Sequence, residues 1–199
     1  MKDFWNQRYA EEGLAYGDKP NEYLTSAISQ LTPGSKVLVV GDGEGRNGIW
    51  LAKQGFNVFS IDYSPVAVDK IKALAADQKV PIQVECHDLT EYEWPENFFD
   101  AVVAIYLHFP SDVRAKMHVA MLSALKPAGS IIIEAFNKDQ LDYPSGGPPV
   151  EDMLFSAEIL QNDFSPANII ECYESVVELN EGKYHVGKGA VVRLIAEKV

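Results

Sequence analysis

The apolar residues of this chain fall into short dense runs separated by longer stretches of mixed character. Val37-Leu38-Val39-Val40, Ala101-Val102-Val103-Ala104-Ile105 and Ile131-Ile132-Ile133 have no polar alternation. Strands buried on both faces read this way, as in parallel sheets covered by helices. The pattern predicts helices over 2–13 and 20–31, then a strand over 36–41 and a helix over 46–54. A strand over 57–62 follows, with a helix over 65–78 capped by Ser64 and opened by Pro65. Strands over 82–87 and 99–105 come next, and then a helix over 111–125. Lys126-Pro127-Ala128-Gly129 is a helix stop, and a fifth strand runs over 130–135. After a Gly/Pro-rich loop, Tyr143 to Pro149, the pattern predicts a short helix near 156–163. Two long strands, about 168–179 and 184–197, meet at Asn180-Glu181-Gly182 and form an antiparallel hairpin. Strands alternating with helices predict an α/β, Rossmann-like doubly wound sheet.

Chemistry concentrates where the first strand ends. Val40 runs into Gly41-Asp42-Gly43-Glu44-Gly45, and the second strand ends on Asp62. Alternate glycines permit positive φ and let a ligand lie against the main chain. In a βαβ unit the acid at the second strand end reaches a ribose diol. The pairing implies an adenosine-containing cofactor. Two cofactors compete. Gly43-Glu44-Gly45-Arg46-Asn47-Gly48 matches GxGxxG, so an NAD-dependent oxidoreductase using Gly43, Gly45 and Gly48 is one reading. However, Asp42 then lies against a pyrophosphate, which is electrostatically unfavourable. S-adenosylmethionine carries a cationic sulfonium and ammonium and no pyrophosphate, so an acidic pocket suits it. The glycine turn would take its methionine end, Asp62 its ribose and Asp88 its adenine amino group. Ile105 and Tyr106 would line the far wall.

Composition narrows the partners. The 199 residues carry a net charge of −12, with no Lys/Arg-rich block, which argues against a nucleic-acid footprint. The N-terminus lacks a signal-peptide apolar region, and no apolar run reaches membrane-spanning length. Cys86 and Cys172 are far apart and have no metal or redox spacing. A cytoplasmic protein with reduced, half-buried strand cysteines and no metal is expected, as a monomer or homodimer.

Gly41 to Gly45, Asp62, Asp88 and the stop before the fifth strand together resemble the motif series of class I S-adenosylmethionine-dependent methyltransferases. The resemblance covers nearly the whole chain. Gly43-Glu44-Gly45-Arg46-Asn47 with Leu51-Ala52 is similar to the tellurite-resistance and thiopurine methyltransferase branch, which methylates sulfur, selenium or tellurium. The resemblance implies one domain over 1–199, a seven-stranded sheet in the order 3-2-1-4-5-7-6 and an antiparallel strand seven. It implies a helical lid over 1–31 that puts Trp5, Tyr9 and Tyr16 over the cofactor. Tyr63 and Leu89 join the cofactor wall as neighbours of Asp62 and Asp88. The chain departs from the series at Val39, where most members have an acid, so Asp42 is the candidate replacement.

The acceptor side is less sharply marked. A small-molecule acceptor is expected, enclosed by loop 137–155 with Tyr106, Phe136 and His185. His108 and Glu134 stand near the ends of strands four and five and join Phe136 as candidate acceptor contacts. His185 is the candidate catalytic group, orienting the acceptor or taking its proton. The end of the sheet that holds His185 depends on a hairpin register that periodicity leaves open. His118, within the 111–125 helix, reads as a surface residue. A non-catalytic S-adenosylmethionine-binding protein is the other alternative.

Overall fold

The computed structural model describes residues 2–199. Seven strands form one sheet in the order β3-β2-β1-β4-β5-β7-β6. They are β1 (Lys36–Val40), β2 (Asn57–Asp62), β3 (Gln83–Cys86), β4 (Phe99–Ile105), β5 (Leu125–Phe136), β6 (Asn168–Glu181) and β7 (His185–Glu197). The first five run parallel, and β7 lies antiparallel to both β5 and β6. The helices are α1 (Lys2–Tyr9), α2 (Glu22–Ala27), α3 (Arg46–Lys53), α4 (Pro65–Asp77), α5 (Ser111–Ala124) and α6 (Ala157–Asp163).

Strand alternation divides the core between the two faces. Leu38, Val40, Val102, Ala104, Ile131 and Ile133 face one side, where Met117 and Met121 of α5 and Leu160 of α6 cover them. Val37, Val39, Ala101, Val103 and Ile132 face the other, beneath Leu24 and Leu51 of α2 and α3. Successive strand residues point to opposite faces, so an unbroken apolar run feeds both layers at once.

Several predicted boundaries shift. The first helix stops at Tyr9, where the chain turns back toward the sheet. The stop at Lys126–Gly129 ends α5 as expected, but these residues already lie within β5, with Ala128 at φ 62. The β4–β5 register slips there, between Phe99 and Ala101. Two further expectations fail. His118 is buried, 2% exposed, because it faces α6 and its Nδ1 meets Asp163 Oδ2 at 2.8 Å. Cys86 is exposed, because β3 is an edge strand, while Cys172 is half-buried. No described helix is long and apolar enough to cross a membrane.

Candidate active site

Parallel strands gather their C-terminal ends along one edge, and the sheet order reverses between β1 and β4. Ligands of doubly wound sheets bind at such a switch point. Here the chain leaves β1 through Gly41, Gly43 and Gly45, at φ 63, 59 and 86. The Gly43 N–H donates to Asp62 Oδ2 at 2.9 Å, and the Ser64 N–H donates to Asp62 Oδ1 at 2.9 Å. Asp62 therefore stands against the glycine loop. Burial pushes its carboxyl up to about 6.

Asp42 faces elsewhere. Its Oδ2 accepts from Ser60 Oγ at 2.7 Å and its Oδ1 from the Gly48 N–H at 3.2 Å. Burial pushes this carboxyl up to about 7. The side chain ties the loop to β2 and α3. Asp88 is exposed and accepts from both the N–H and the hydroxyl of Thr90, while Leu89 is buried beside it. Tyr63 is half-buried next to Asp62.

The N-terminal segment covers the glycine loop. A Cβ on Gly43 would meet the Tyr9 hydroxyl at 2.8 Å, so only glycine admits this approach. Trp5 stacks on Tyr9 at 5.5 Å and lies 6.3 Å from Tyr16. The Ala15 N–H donates to Glu44 Oε2 at 2.7 Å, and Lys70 Nζ donates to Glu44 Oε1 at 2.7 Å and to the Gly13 carbonyl at 2.8 Å. From the hairpin turn, the Lys183 N–H donates to the Ala15 carbonyl at 2.9 Å. The segment is thus fastened at both sides of the cleft.

Beyond Tyr16 lies an aromatic chamber around His185. Its ring sits 4.5 Å from Tyr16, 4.7 Å from Tyr106 and 5.2 Å from Phe136. The register decides this placement. Phe136 pairs with Val191 and Glu134 with Arg193, so β7 begins at the C-terminal edge of the parallel strands. Tyr106 directly follows buried Ile105, and its hydroxyl donates to Glu134 Oε1 at 2.9 Å. Glu134 also accepts from Asn21 Nδ2 at 2.6 Å and, through Oε2, from Arg193 Nε at 2.6 Å. These three bonds make it a strut between α2, β4 and β7.

His108 is likewise engaged on both ring nitrogens. Nδ1 faces the Met153 carbonyl at 2.8 Å, and Nε2 accepts from the Phe136 N–H at 3.3 Å. Burial pushes its imidazole down to about 4, so it is neutral at pH 7. It pins the loop after β5 and presents no free nitrogen to an acceptor.

The loop and its cover fit a sulfonium cofactor. The glycines free the loop main chain of side chains of its own, with Tyr9 of the N-terminal cover seated on Gly43, and Asp62 supplies a carboxylate at the strand end. Residues 37–129 match the family model described as a methyltransferase domain. Over those residues the chain carries a methyltransferase domain, with S-adenosylmethionine as its cofactor. This methyltransferase is 24% identical to a thiopurine S-methyltransferase of Nitrosospira multiformis, covering 89% of this chain and 88% of that protein. It is 25% identical to a protein of Eikenella corrodens named hemagglutinin 1, over 77% of this chain but only 50% of that protein. Its fold superposes on TehB from Haemophilus influenzae with a TM-score of 0.74 and 20% identity, covering 100% of this chain and 67% of that one. A protein solved in connection with conversion of a disulfide bond into a thioacetal group during echinomycin biosynthesis gives a TM-score of 0.81 at 18% identity, covering 100% and 92%. The NAD-dependent reading of the glycines is replaced by these findings.

Several residues of the site escaped the sequence reading. Asn21 caps α2 by accepting from the Leu24 N–H, a local signal that was legible, but its amide also reaches Glu134. Arg46 reads as an ordinary first helical residue, yet it pairs with Glu181 at 3.0 Å. Glu181 reads as a hairpin turn residue, yet it meets His185 Nδ1 at 3.1 Å.

Proposed function

We propose that this methyltransferase acts on a small, soft nucleophile, a thiol or a selenium or tellurium compound. The observation that carries this reading is the chamber around His185, walled by Tyr16, Tyr106 and Phe136 and lying against the covered glycine loop. An aromatic enclosure excludes water and favours attack by a polarisable atom on a cationic centre. The likeness to thiopurine S-methyltransferase supports a sulfur acceptor.

In this reading Asp62 accepts from the ribose hydroxyls, the main chain at Gly41, Gly43 and Gly45 receives the methionine end, and Asp88 with Leu89 and Tyr63 borders the adenine. Asp42 shapes the turn rather than pairing with the ammonium. Residues 2–20, carrying Trp5, Tyr9 and Tyr16, are the lid. The cofactor supplies an activated methyl on a positively charged sulfur. The protein orients the acceptor, dries the site and, through His185, takes a proton where the acceptor brings one.

The test is methyl transfer from labelled S-adenosylmethionine to thiols, selenite and tellurite, alongside nucleic acid and protein acceptors. Methylation of at least one small chalcogen compound is expected. Transfer only to nucleic acid or protein would overturn the acceptor class. Cofactor binding with no transfer to any acceptor would favour a non-catalytic sensor.

A further inference from the structure

Two carboxylates beside the chamber sit in ion pairs. Glu134 is matched by Arg193 at 2.6 Å, and Glu181 by Arg46 at 3.0 Å. His108, the other histidine near His185, has both nitrogens engaged. Tyr16 and Tyr106 pack their rings against His185, and their hydroxyls are held by Arg8 and Glu134. Arg46 and Arg193 are thus taken up by carboxylates, whereas Arg8, on the Tyr16 hydroxyl and over the Tyr184 ring, forms no ion pair among the described residues.

His185 itself is oriented. Its Nδ1 lies 3.1 Å from Glu181 Oε2. Glu181 is ionised: burial pushes its carboxyl up, but the His185 hydrogen bond and Arg46 outweigh this and hold it at about 2. A carboxylate only accepts, so Nδ1 carries the proton. Nε2 has no protein partner among the described residues, and no fully buried side-chain polar atom among them lacks one. Nε2 is thus the open side of the ring. It lies next to Gly146, where an added Cβ would stand 3.1 Å from it, so the loop allows close approach only because that residue is glycine.

We infer that Glu181, fixed in place by Arg46, is a positioning residue that holds His185 as the Nδ1–H tautomer, with Nε2 ready to deprotonate an acceptor that enters as a neutral thiol or selenol. This rests on the methyltransferase reading above and specifies its acceptor's protonation state. The acceptor's S–H bond breaks and its proton passes to Nε2. The electron pair left on sulfur forms the new bond to the methyl carbon. The bond from that carbon to the sulfonium sulfur breaks, and its pair stays on that sulfur. Burial also lowers the His185 pKa, against the opposing pull of Glu181, which keeps the ring neutral and able to accept.

Two measurements test this. Nitrogen-detected NMR of imidazole-labelled protein without cofactor should show His185 protonated on Nδ1 and bare on Nε2. A proton on Nε2 instead would overturn the inference, whatever the activity. In steady-state assays, Glu181→Gln should lower kcat on the least acidic thiols by about 100-fold with little change in KM, and much less on acidic thiols. Glu181→Asp should recover part of the loss. A loss uniform across thiols of different pKa, with folding intact by circular dichroism, would leave Glu181 a structural residue and overturn the inference. If the wild type methylates no thiol or selenol while the NMR shows the expected tautomer, the acceptor assignment fails and the orientation of His185 by Glu181 stands.

Discussion

Asp62 shows how one side chain can serve both fold and ligand. It accepts two backbone N–H groups, which organise the glycine loop, while its burial resists ionisation. Ribose hydroxyls donating to it would favour the charged form. Cofactor binding should then release a proton, and affinity should rise with pH up to about 6 and flatten above. The steepest slope is about tenfold per pH unit. Asp42, pushed up to about 7 nearby, is bonded to Ser60 and Gly48 and should add little to this slope. Calorimetry with S-adenosylmethionine from pH 5 to 8 measures the effect. Asp62→Ala should remove the pH dependence and weaken binding by about 2–4 kcal/mol, the scale of lost charge-assisted hydrogen bonds. Unchanged affinity in a folded mutant would exclude Asp62 from the ribose site.

At the scale of elements, the segment before β1 is short of regular structure and rich in tertiary ties. α1 has eight residues, of which only Tyr9 is buried. The stretch after it, at Gly13 and Ala15, is tied to α4 through Lys70, to the glycine loop through Glu44 and to the hairpin through Lys183. Opening has to break these ties and the packing of Tyr9 and Ala15, so a lid role requires that the ligand change their balance. Glu44→Ala leaves the Ala15 N–H without its acceptor, a cost of about 1–3 kcal/mol to the closed arrangement. Amide exchange at Ala15 should accelerate in that mutant. In the wild type, exchange over residues 2–20 should slow when the demethylated cofactor binds. Equal exchange with and without ligand would mean that the segment is fixed packing and not a lid.

At the scale of the whole molecule, α5 and α6 close one face of the sheet through a polar clasp within an apolar layer. Asp163 accepts from Arg114 Nε at 2.8 Å and meets His118 Nδ1 at 2.8 Å. Burial pushes the Asp163 carboxyl up, but His118 and Arg114 outweigh it and hold it below its ordinary value. A depressed carboxylate stabilises the fold above its unfolded pKa, about 3.9, and loses that contribution as pH falls through its folded value. Asp163→Ala should cost about 1–3 kcal/mol at pH 7, because buried His118 loses its partner. It should also shrink the acid-induced loss of stability below pH 4. Denaturant titrations at pH 7 and pH 3 read both effects.

What the chain determined by itself is local in origin. Apolar runs that serve both faces of a buried sheet mark β1, β4 and β5 without reference to partners. Turns that need positive φ mark Gly41, Gly43 and Gly45, and the acid at the end of β2 follows from its spacing. These signals placed the sheet order, through family resemblance, and the cofactor end of the cleft. Only the tertiary structure decided the acceptor end. Asn21 and Glu134 are far apart in sequence, and Arg46 and Glu181 are farther still. The meeting of Arg46 with Glu181 depends on how the β6–β7 hairpin registers against β5, and a one-residue slip would turn every side chain to the opposite face. Direction was equally out of reach for Asp42 and His118. Both have the right residue type for a surface or ligand role, but burial and neighbours turn them inward, because a buried polar group must find a partner wherever packing offers one.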